Sequence, residues 1–311
     1  MTIANETWTS REEIVNGIRL HWVEQGQGPL VVLLHGFPEF WYSWRHQIPV
    51  LAQRFRVVAP DMRGYNLSEK PPRGYDLDTL TDDVLALVRG LGEDRAVIVG
   101  HDWGGMVAWV FAIRFPEATE KLVIMNAPHP GRFQEEIRRP RQFLRSTYAL
   151  FFRLPRLPEL VLGANRCWAL ARGIQRSAVD KGAFSDEDLD RFREAMSRPG
   201  ALTAALNYYR SASFDSLPPD LTVHAPTLVL WGVHDVALGL PLTQGLERWA
   251  PNLTLQYLDC GHWTQQERFE EVNRYLLEFL QAGGGQESGF VPVERSLGAF
   301  ESDRPSYEGA I

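Results

Sequence analysis

Short apolar runs recur along the chain, and each ends in small or polar residues. Residues 30–34 form a continuous apolar run before His35, the pattern of a strand buried on both faces of a parallel sheet. Similar runs cover 56–59, 96–99, 121–125 and 227–232, and a further strand is predicted at 253–258. Between several of them, apolar residues return at helical spacing, as at 79–90. This alternation predicts an α/β fold with a mostly parallel central sheet and helices on both faces.

Three segments add local predictions to this pattern. An Asn-Gly pair at 16–17 separates two β-like runs at 12–15 and 19–24, which predicts a hairpin. A Trp-rich stretch at 40–53 predicts a helix, and the spacing of apolar residues at 267–280 predicts a last one.

The alternation of strands and helices stops at 126–131. From 131 to 220 the chain has no buried-strand run, and its Arg, Leu and aromatic residues fall at helical spacing between prolines and glycines. We therefore predict a helical lid at 131–220 inserted into a core formed by 1–130 and 221–282. The polar, Gly- and Ser-rich remainder predicts a flexible tail at 283–311.

Composition and charge restrict the class of protein. The chain has 311 residues, is 44% hydrophobic and 23% charged, and carries a formal net charge of -7. These values are typical of a soluble globular protein, and without a basic stripe they argue against a nucleic-acid partner. The apolar runs are too short to span a membrane, which takes about 20 residues. The N-terminus lacks the pattern of a secretory signal, so we expect a cytoplasmic protein.

The cysteines and histidines predict no metal site. Cys167 and Cys260 are far apart in sequence, and we expect both to be reduced. The eight histidines show no spacing typical of metal ligands. We expect neither a metal nor another cofactor, and the sequence leaves open whether the protein is a monomer or a homodimer.

The segment from Gly100 to Gly105 carries the clearest chemical signal. Small residues flank Asp102 between a predicted strand and a predicted helix. A nucleophile elbow requires this arrangement, because its central residue occupies a strained turn in which bulky neighbours would clash. The turn places the central side chain at a helix N-terminus, where N–H groups and the helix dipole favour a carboxylate.

An aspartate at the elbow changes the chemistry that a serine would provide. A carboxyl group with a reference pKa of about 3.9 is already ionised at neutral pH and needs no base to attack. Attack on a saturated carbon gives an alkyl ester of the enzyme, which water must then hydrolyse. The competing interpretation is that Asp102 only caps the following helix, a position that Asp favours.

An acid and a histidine complete the candidate constellation. Asp235 follows the predicted strand at 227–232, and His262 follows the strand at 253–258. Both lie at carboxyl ends of strands, where open α/β sheets bind ligands. We interpret His262 as the general base for water and Asp235 as the residue that orients it. The rival histidine, His234, belongs to a turn and is expected to be structural.

The residues after the first buried strand are candidates for stabilising an oxyanion. In a nucleophile-elbow fold, the loop there supplies one backbone N–H, and the residue after the nucleophile supplies another. The donors predicted here are the backbone N–H groups of Phe37 and Trp103. Pro38 cannot donate and is expected to shape the turn, through a cis bond if one forms.

The chain resembles the soluble epoxide hydrolases of the α/β-hydrolase superfamily over about residues 10–280. The matching segments are His35-Gly36-Phe37-Pro38-Glu39, Asp61-Met62-Arg63-Gly64-Tyr65, His101-Asp102-Trp103-Gly104-Gly105 and Gly261-His262-Trp263-Thr264. The combination is specific, although each segment alone is not. The resemblance implies an α/β-hydrolase fold with a helical lid insertion.

The resemblance also implies two lid tyrosines that protonate the epoxide oxygen. The segment at 146–152 resembles the carrier of the first and points to Tyr148. The segment at 207–210 resembles the carrier of the second, where the tyrosine before Arg210 gives Tyr209, with Tyr208 as the alternative. Acids are needed because ring opening releases an alkoxide, a poor leaving group. Without the resemblance, both tyrosines would be interpreted as packing aromatics.

The predicted reaction converts an apolar epoxide and water into a vicinal diol through an Asp102 ester, without a cofactor. His35, Pro38 and Trp41 are expected to line an apolar pocket.

Two other classes of function remain open. A dehalogenase shares the Asp nucleophile but needs N–H donors for the halide, and Trp103 could be one. A non-catalytic ligand-binding protein is possible because the fold alone does not fix function.

Overall fold

The computed structural model of the protein describes residues 8–282, so the tail predicted at 283–311 lies outside the described residues. Eight strands form one sheet in the order β1-β2-β4-β3-β5-β6-β7-β8. The strands are β1 (Thr9–Val15), β2 (Ile18–Gln25), β3 (Leu30–Leu34), β4 (Arg56–Pro60), β5 (Ala96–His101), β6 (Thr119–Met125), β7 (Thr227–Gly232) and β8 (Leu253–Leu258). The pairs β1–β2 and β2–β4 are antiparallel, and all later pairs are parallel.

Helices cover both faces of the sheet. The α-helices of the core are α1 (Ile48–Leu51), α2 (Leu77–Gly90), α3 (Trp103–Arg114), α10 (Thr264–Glu267) and α11 (Phe269–Gln281), and α4 (Pro130–Glu136) begins the region between β6 and β7. Apolar side chains of α2 and α3 pack on one face, and those of α1 and α11 pack on the other. The continuous apolar strands are therefore buried on both sides, which is what their sequences predict.

The region between β6 and β7 is helical in the structure. After α4 it contains α5 (Pro140–Arg145), α6 (Thr147–Phe152), α7 (Leu157–Ser177), α8 (Asp186–Ser197) and α9 (Ala201–Ser211). Helix α7 is interrupted at 164–167, where three consecutive non-glycine residues have positive φ angles. Two backbone carbonyls of this break accept hydrogen bonds from Arg193 of α8. We refer to helices α5–α9 as the cap.

The prediction of a single helix at 40–53 is wrong. The structure has a short 3-10 helix at Trp41–Trp44 and then the four-residue α1. Pro49, at the second position of α1, has no N–H to donate to a preceding turn, so it begins a new helix instead of continuing one. Similarly, the last predicted helix is preceded by the separate short helix α10.

Strand β1 lies at an edge of the sheet, and all of its residues except the last are exposed. Its side chains include Arg11 and Glu12, which form ion pairs with Glu24 and Arg19 of β2. The functional residues lie instead at the carboxyl ends of the parallel strands.

Candidate active site

Asp102 occupies a sharp turn between β5 and α3. Its φ of 51° and ψ of -119° are strained for a residue with a Cβ. The turn fits because its neighbours are glycines: a Cβ on Gly104 would lie 2.2 Å from the Leu34 carbonyl oxygen. On Gly36 a Cβ would lie 2.4 Å from the Cβ of Asp102 itself. The small residues identified in the sequence are therefore required by close backbone approach.

The two carboxyl oxygens of Asp102 have different neighbours. Oδ1 accepts a hydrogen bond of 2.8 Å from the backbone N–H of Phe37. Oδ2 lies 3.5 Å from His262 Nε2. Trp103 is the first residue of α3, so its N–H has no acceptor within the helix. One oxygen thus faces backbone N–H donors, and the other faces an imidazole.

His262 lies between two carboxyl groups. Its Nδ1 is 2.7 Å from Asp235 Oδ2, on the side opposite Asp102. The other oxygen of Asp235 accepts the backbone N–H groups of Ala237 and Leu238 at 2.8 and 2.9 Å. The structure therefore brings together the nucleophile, acid and histidine of the sequence prediction. His234 lies elsewhere, in an exposed pair with Asp259.

Asn126 is a further site residue that the sequence analysis did not identify. Its amide donates a 2.7 Å hydrogen bond to Asp235, and its side-chain oxygen accepts the Gly232 N–H and the Thr264 hydroxyl. The available signal was its position directly after β6, at the same edge of the sheet as Asp102. Asn126 connects the loops that follow three adjacent strands.

Burial and neighbouring charges shift the pKa values of the ionisable groups in the site. Burial alone would raise the pKa of Asp102, but the hydrogen bond and charge of His262 outweigh it, and the pKa falls below its usual value. The pKa of Asp235 is also lowered, because the same imidazole overcomes the effect of burial. Burial would lower the pKa of His262, yet Asp235 and Asp102 together raise it well above its ordinary range. The arrangement favours a cationic imidazole between two carboxylates.

A chain of buried polar residues is hydrogen-bonded to the backbone of His262. The Nε2 atom of His101 is 2.8 Å from the His262 carbonyl oxygen, and its Nδ1 is 2.8 Å from Glu39 Oε2. Gln265 donates to the same Glu39 carboxyl group. Glu39 and His101 belong to the sequence motifs that carry the family resemblance, but nothing in those motifs connects the two residues.

The two predicted lid tyrosines meet above Asp102. Tyr148 of α6 and Tyr209 of α9 have ring centroids 6.1 Å apart, with their ring planes at 77° to each other. The Trp103 ring lies 5.0 Å from the Tyr209 ring. Burial and the nearby charge of Asp102 raise the pKa of both phenols, so both keep their protons at neutral pH. Tyr148 is 38% exposed on its outer side, although its hydroxyl end lies inside the site.

Tyr208 points to a different place from Tyr209. Its hydroxyl donates a 2.8 Å hydrogen bond to the Arg63 carbonyl, and its ring packs on Tyr65 and Tyr75. Of these two adjacent tyrosines, only Tyr209 therefore places its hydroxyl group in the site.

Aromatic side chains surround the space between Asp102 and the tyrosines. The Phe37 ring lies 5.4 Å from Phe152 and 5.5 Å from Tyr209, and Trp103 lies 5.0 Å from Tyr209. The peptide bond between Phe37 and Pro38 is cis. Pro38 is buried against cap residues that include Cys167.

Two of the expected pocket residues do not fit that role. His35 is fully buried: its Nδ1 contacts the Gly36 carbonyl, and its Nε2 accepts the Met62 N–H. Both ring nitrogens are thus used by the framework. The Trp41 ring packs on Trp8 and on aromatic neighbours of its own 3-10 helix instead of facing Asp102. The Trp41 side chain is therefore part of this aromatic cluster and does not line the site.

Within residues 8–282, no group of three or more His, Cys, Asp or Glu side chains is arranged to hold a metal ion. None of the helices in that range is long and apolar enough to cross a membrane.

Comparisons with known proteins agree with this geometry. The pattern of the α/β-hydrolase fold family matches residues 29–269. The AB hydrolase superfamily protein YfhM of Bacillus subtilis is 44% identical over 277 residues, which cover 86% of this chain and 96% of that protein. Epoxide hydrolase 1 of Caenorhabditis elegans is 38% identical, with 88% of this chain and 71% of that protein covered.

Solved structures give the same result. The crystal structure of Bacillus megaterium epoxide hydrolase in complex with an inhibitor has a TM-score of 0.82 and 33% identity. The match covers 88% of this chain and all of the other. Both the fold and the sequence show that this chain belongs to the epoxide hydrolase family of the α/β-hydrolase superfamily.

Proposed function

We propose that the protein hydrolyses apolar epoxides to vicinal diols through a covalent ester at Asp102. The observation that carries this proposal is the pair of protonated phenols, Tyr148 and Tyr209, whose rings lie 6.1 Å apart and whose pKa values the nearby charge of Asp102 helps to raise. A carboxylate on one side and acids on the other match the needs of epoxide opening.

In the first step, Asp102 Oδ2 attacks an epoxide carbon and the carbon–oxygen bond breaks. Tyr148 and Tyr209 donate hydrogen bonds to the departing oxygen, and one of them transfers its proton to give the hydroxyl group. The Oδ1 atom becomes the ester carbonyl and stays at the Phe37 N–H, with which it is already hydrogen-bonded.

In the second step, water attacks the ester carbonyl and His262 takes a proton from it. Asp235 holds the imidazole in position through the 2.7 Å contact at Nδ1. The N–H groups of Phe37 and Trp103 stabilise the oxyanion. Release of the diol restores the Asp102 carboxylate, and proton return from His262 restores the tyrosine.

Ester formation itself prepares His262 for its role. In the free enzyme, Asp235 and Asp102 both raise the pKa of this imidazole. Alkylation removes the negative charge of Asp102, so the pKa of His262 falls. A lower pKa leaves more of the imidazole neutral at the stage when water must be activated, and only the neutral form can accept a proton from water.

The dehalogenase alternative fits less well. A halide needs free N–H donors, and Trp103 is the candidate. Its indole ring instead packs edge-to-face against the Tyr209 ring, 5.0 Å away.

We further propose that residues 131–220 act as the lid, since α6 and α9 bring the two tyrosines over the core. The cytoplasm is the compartment we propose, because both cysteines are free thiols.

The test is to incubate wild-type protein with an aryl epoxide, a fatty-acid epoxide and a haloalkane, and to measure diol and halide. We expect diol and no halide. His262→Gln should accumulate an adduct whose mass increase equals that of the whole epoxide, and Asp102→Ala should form none. Halide release without diol, or full turnover by Asp102→Ala, would contradict the proposal.

A further inference from the structure

Exposed apolar side chains are concentrated in the first part of the cap. Between residues 143 and 160 they include Phe143, Leu144, Leu150, Leu154, Leu157 and Leu160. Leu144 is 68% exposed and Leu160 is 75% exposed. Single exposed apolar residues are common on protein surfaces, but a group of this kind marks an interaction site. We call the surface formed by residues 138–161 the cap patch.

The cap patch is strongly basic, although the chain as a whole carries a net charge of -7. Residues 137–158 contain six arginines and no acidic residue: Arg138, Arg139, Arg141, Arg145, Arg153 and Arg156. The next acid, Glu159, forms a 2.7 Å ion pair with Arg210 of α9. Arg139 pairs with Glu136, and Arg145 is half-buried. The other four arginines are exposed and lie in the same stretch of chain as the exposed leucines.

This combination favours an anionic lipid surface over a second copy of the chain. A two-fold contact would place the same basic patch against itself, and the arginines would repel each other. At a membrane surface, leucines enter the boundary of the acyl chains while arginine side chains extend to lipid phosphates. Basic clusters next to apolar residues are typical of proteins that bind acidic lipids.

We propose that the cap patch docks the protein onto the surface of an anionic lipid bilayer. Tyr148 of α6 links this surface to the reaction site, because its outer side is exposed and its hydroxyl reaches Tyr209. Docking would place the roof of the site at a phase in which apolar epoxides concentrate. This last consequence rests on the proposed function, whereas docking itself does not.

The test is co-sedimentation of the full chain with two kinds of vesicle. We expect binding to vesicles of equal parts phosphatidylcholine and phosphatidylglycerol, weaker binding at high salt, and little binding to pure phosphatidylcholine. The triple variant Arg138→Glu, Arg141→Glu and Arg153→Glu should reduce the affinity ~tenfold or more. The triple variant Leu144→Ser, Leu150→Ser and Leu160→Ser should reduce it as well.

Two surface variants provide matched controls. Arg89 lies at the end of α2, next to the start of β5 and therefore at the opposite end of the sheet from Asp102. Arg89→Glu, and Ile14→Ser on β1, should leave vesicle binding unchanged. Absence of wild-type binding to the anionic vesicles would overturn the proposal, as would equal losses in the control variants. Self-association that is abolished by the leucine changes, without vesicle binding, would instead make the patch an interface between copies.

A separate observation concerns Glu267, which is buried between the cap and the loop of His262. Its Oε1 accepts the backbone N–H groups of Gly261 at 3.0 Å and Trp263 at 3.3 Å. Its Oε2 accepts those of Val179 at 2.6 Å and Asp180 at 2.9 Å, just after α7. The Glu267 side chain therefore binds the residues on both sides of His262 and connects them to the cap.

We infer that Glu267 is a positioning residue for His262, with a greater effect on ester hydrolysis than on ester formation. It touches neither Asp102 nor the tyrosines, so its influence on attack at the epoxide is indirect. Its contacts fix Gly261 and Trp263, the neighbours of the residue that must activate water. The inference about hydrolysis rests on the proposed function.

Glu267→Gln replaces one acceptor oxygen with an NH2 group that cannot accept an N–H. We expect the rate of ester hydrolysis to fall ~tenfold or more while the single-turnover rate of ester formation changes little, so that adduct accumulates. Exposed Glu270→Gln on α11 is the matched control and should change neither rate. Equal slowing of both steps would indicate general loss of structure and overturn the inference.

An NMR titration of the His262 imidazole gives a readout that needs no substrate. We expect Glu267→Gln to change the titration midpoint, because looser anchoring alters the distance to Asp235. An unchanged midpoint together with unchanged rates would overturn the role of Glu267. If wild-type protein forms no ester with any epoxide, the proposed function fails, and the titration still decides whether Glu267 positions His262.

Discussion

Adjacent residues on one helix can have unrelated tasks, and Tyr208 and Tyr209 are an example. The Tyr209 ring packs against Tyr148 in the site, whereas the Tyr208 hydroxyl donates to the Arg63 carbonyl. A helix separates consecutive side chains by about 100° of rotation, so only one of the two can face Asp102.

Tyr209→Phe should slow ester formation ~100-fold or more, because an acid that assists the leaving oxygen is lost. Single-turnover mass spectrometry measures this rate. Tyr208→Phe is the matched control: it should cost about 1 kcal/mol of unfolding free energy and leave the rate nearly unchanged. The reverse ranking of the two variants would assign the acid to Tyr208.

The charge of Asp102 should be visible at His262. Asp102→Asn removes one of the two carboxylates that raise the pKa of this imidazole, as ester formation does. We expect the midpoint of the His262 NMR titration to move to lower pH in this variant. Asp259→Asn, which removes the partner of exposed His234, should leave that midpoint in place. A midpoint that does not move would show that the charge of Asp102 does not affect the pKa of His262.

At the scale of secondary-structure elements, the elbow depends on how closely β3, β5 and α3 approach. Gly104 lies so near the Leu34 backbone that no side chain fits, and backbone atoms cannot move aside as a flexible side chain can. The approach places Asp102 and Phe37 within one hydrogen bond of each other.

Gly104→Ala should therefore destabilise the protein by about 2 kcal/mol or more and lower the rate of ester formation. Urea unfolding monitored by tryptophan fluorescence measures the first effect. Gly173→Ala, in an open part of α7 with no atom within 4 Å of the added methyl, should stabilise the protein by about 0.5–1 kcal/mol. Tolerance of alanine at 104 would mean that β3 and α3 can separate without loss.

The sequence predicts elements better than it predicts contacts. The strands at 30–34 and 253–258 have the bounds that their sequences indicate: the first is an unbroken apolar run, and the second alternates apolar and polar residues over most of its length. The single helix predicted at 40–53 is wrong because Pro49 begins a new helix within that stretch. Helix-period patterns also could not show that α7 is broken at 164–167.

The site residues also show that local patterns are easier to predict than long-range contacts. Asp102, Asp235 and His262 stand at strand ends with distinctive neighbours, and the structure brings them together. Asn126 and Glu267 were not identified, because their roles depend on partners that are remote in sequence: Asn126 contacts a residue 109 positions later, and Glu267 one 88 positions earlier. No local pattern records such pairs.

At the scale of the whole molecule, cap and core are joined by a buried ion pair as well as by aromatic contacts. Asp188 of α8 lies 3.2 Å from Arg45 of the core and accepts a hydrogen bond from Tyr42. Asp188 also forms the capping box of its own helix with Ser185. A single carboxylate thus supports both the fold of α8 and its attachment.

Asp188→Ala should lower the free energy of unfolding by about 3–5 kcal/mol, because it leaves Arg45 buried without its counter-charge. The measurement is urea unfolding, with hydrogen exchange of α8 to show where protection is lost. Asp190→Ala on the same helix removes only an exposed pair with Arg193 and should cost less than about 1 kcal/mol. Similar losses for both variants would show that helix propensity, and not the buried pair, sets the effect.

The exposed strand β1 has a consequence for behaviour in concentrated solution. Its outer edge presents unpaired backbone groups, a template on which a strand of another molecule could add. The consecutive charged side chains of Arg11, Glu12 and Glu13 oppose such growth, because an added strand would remove them from water. The charged side chains of β1 therefore protect the protein from edge-to-edge aggregation, although this strand takes no part in the reaction.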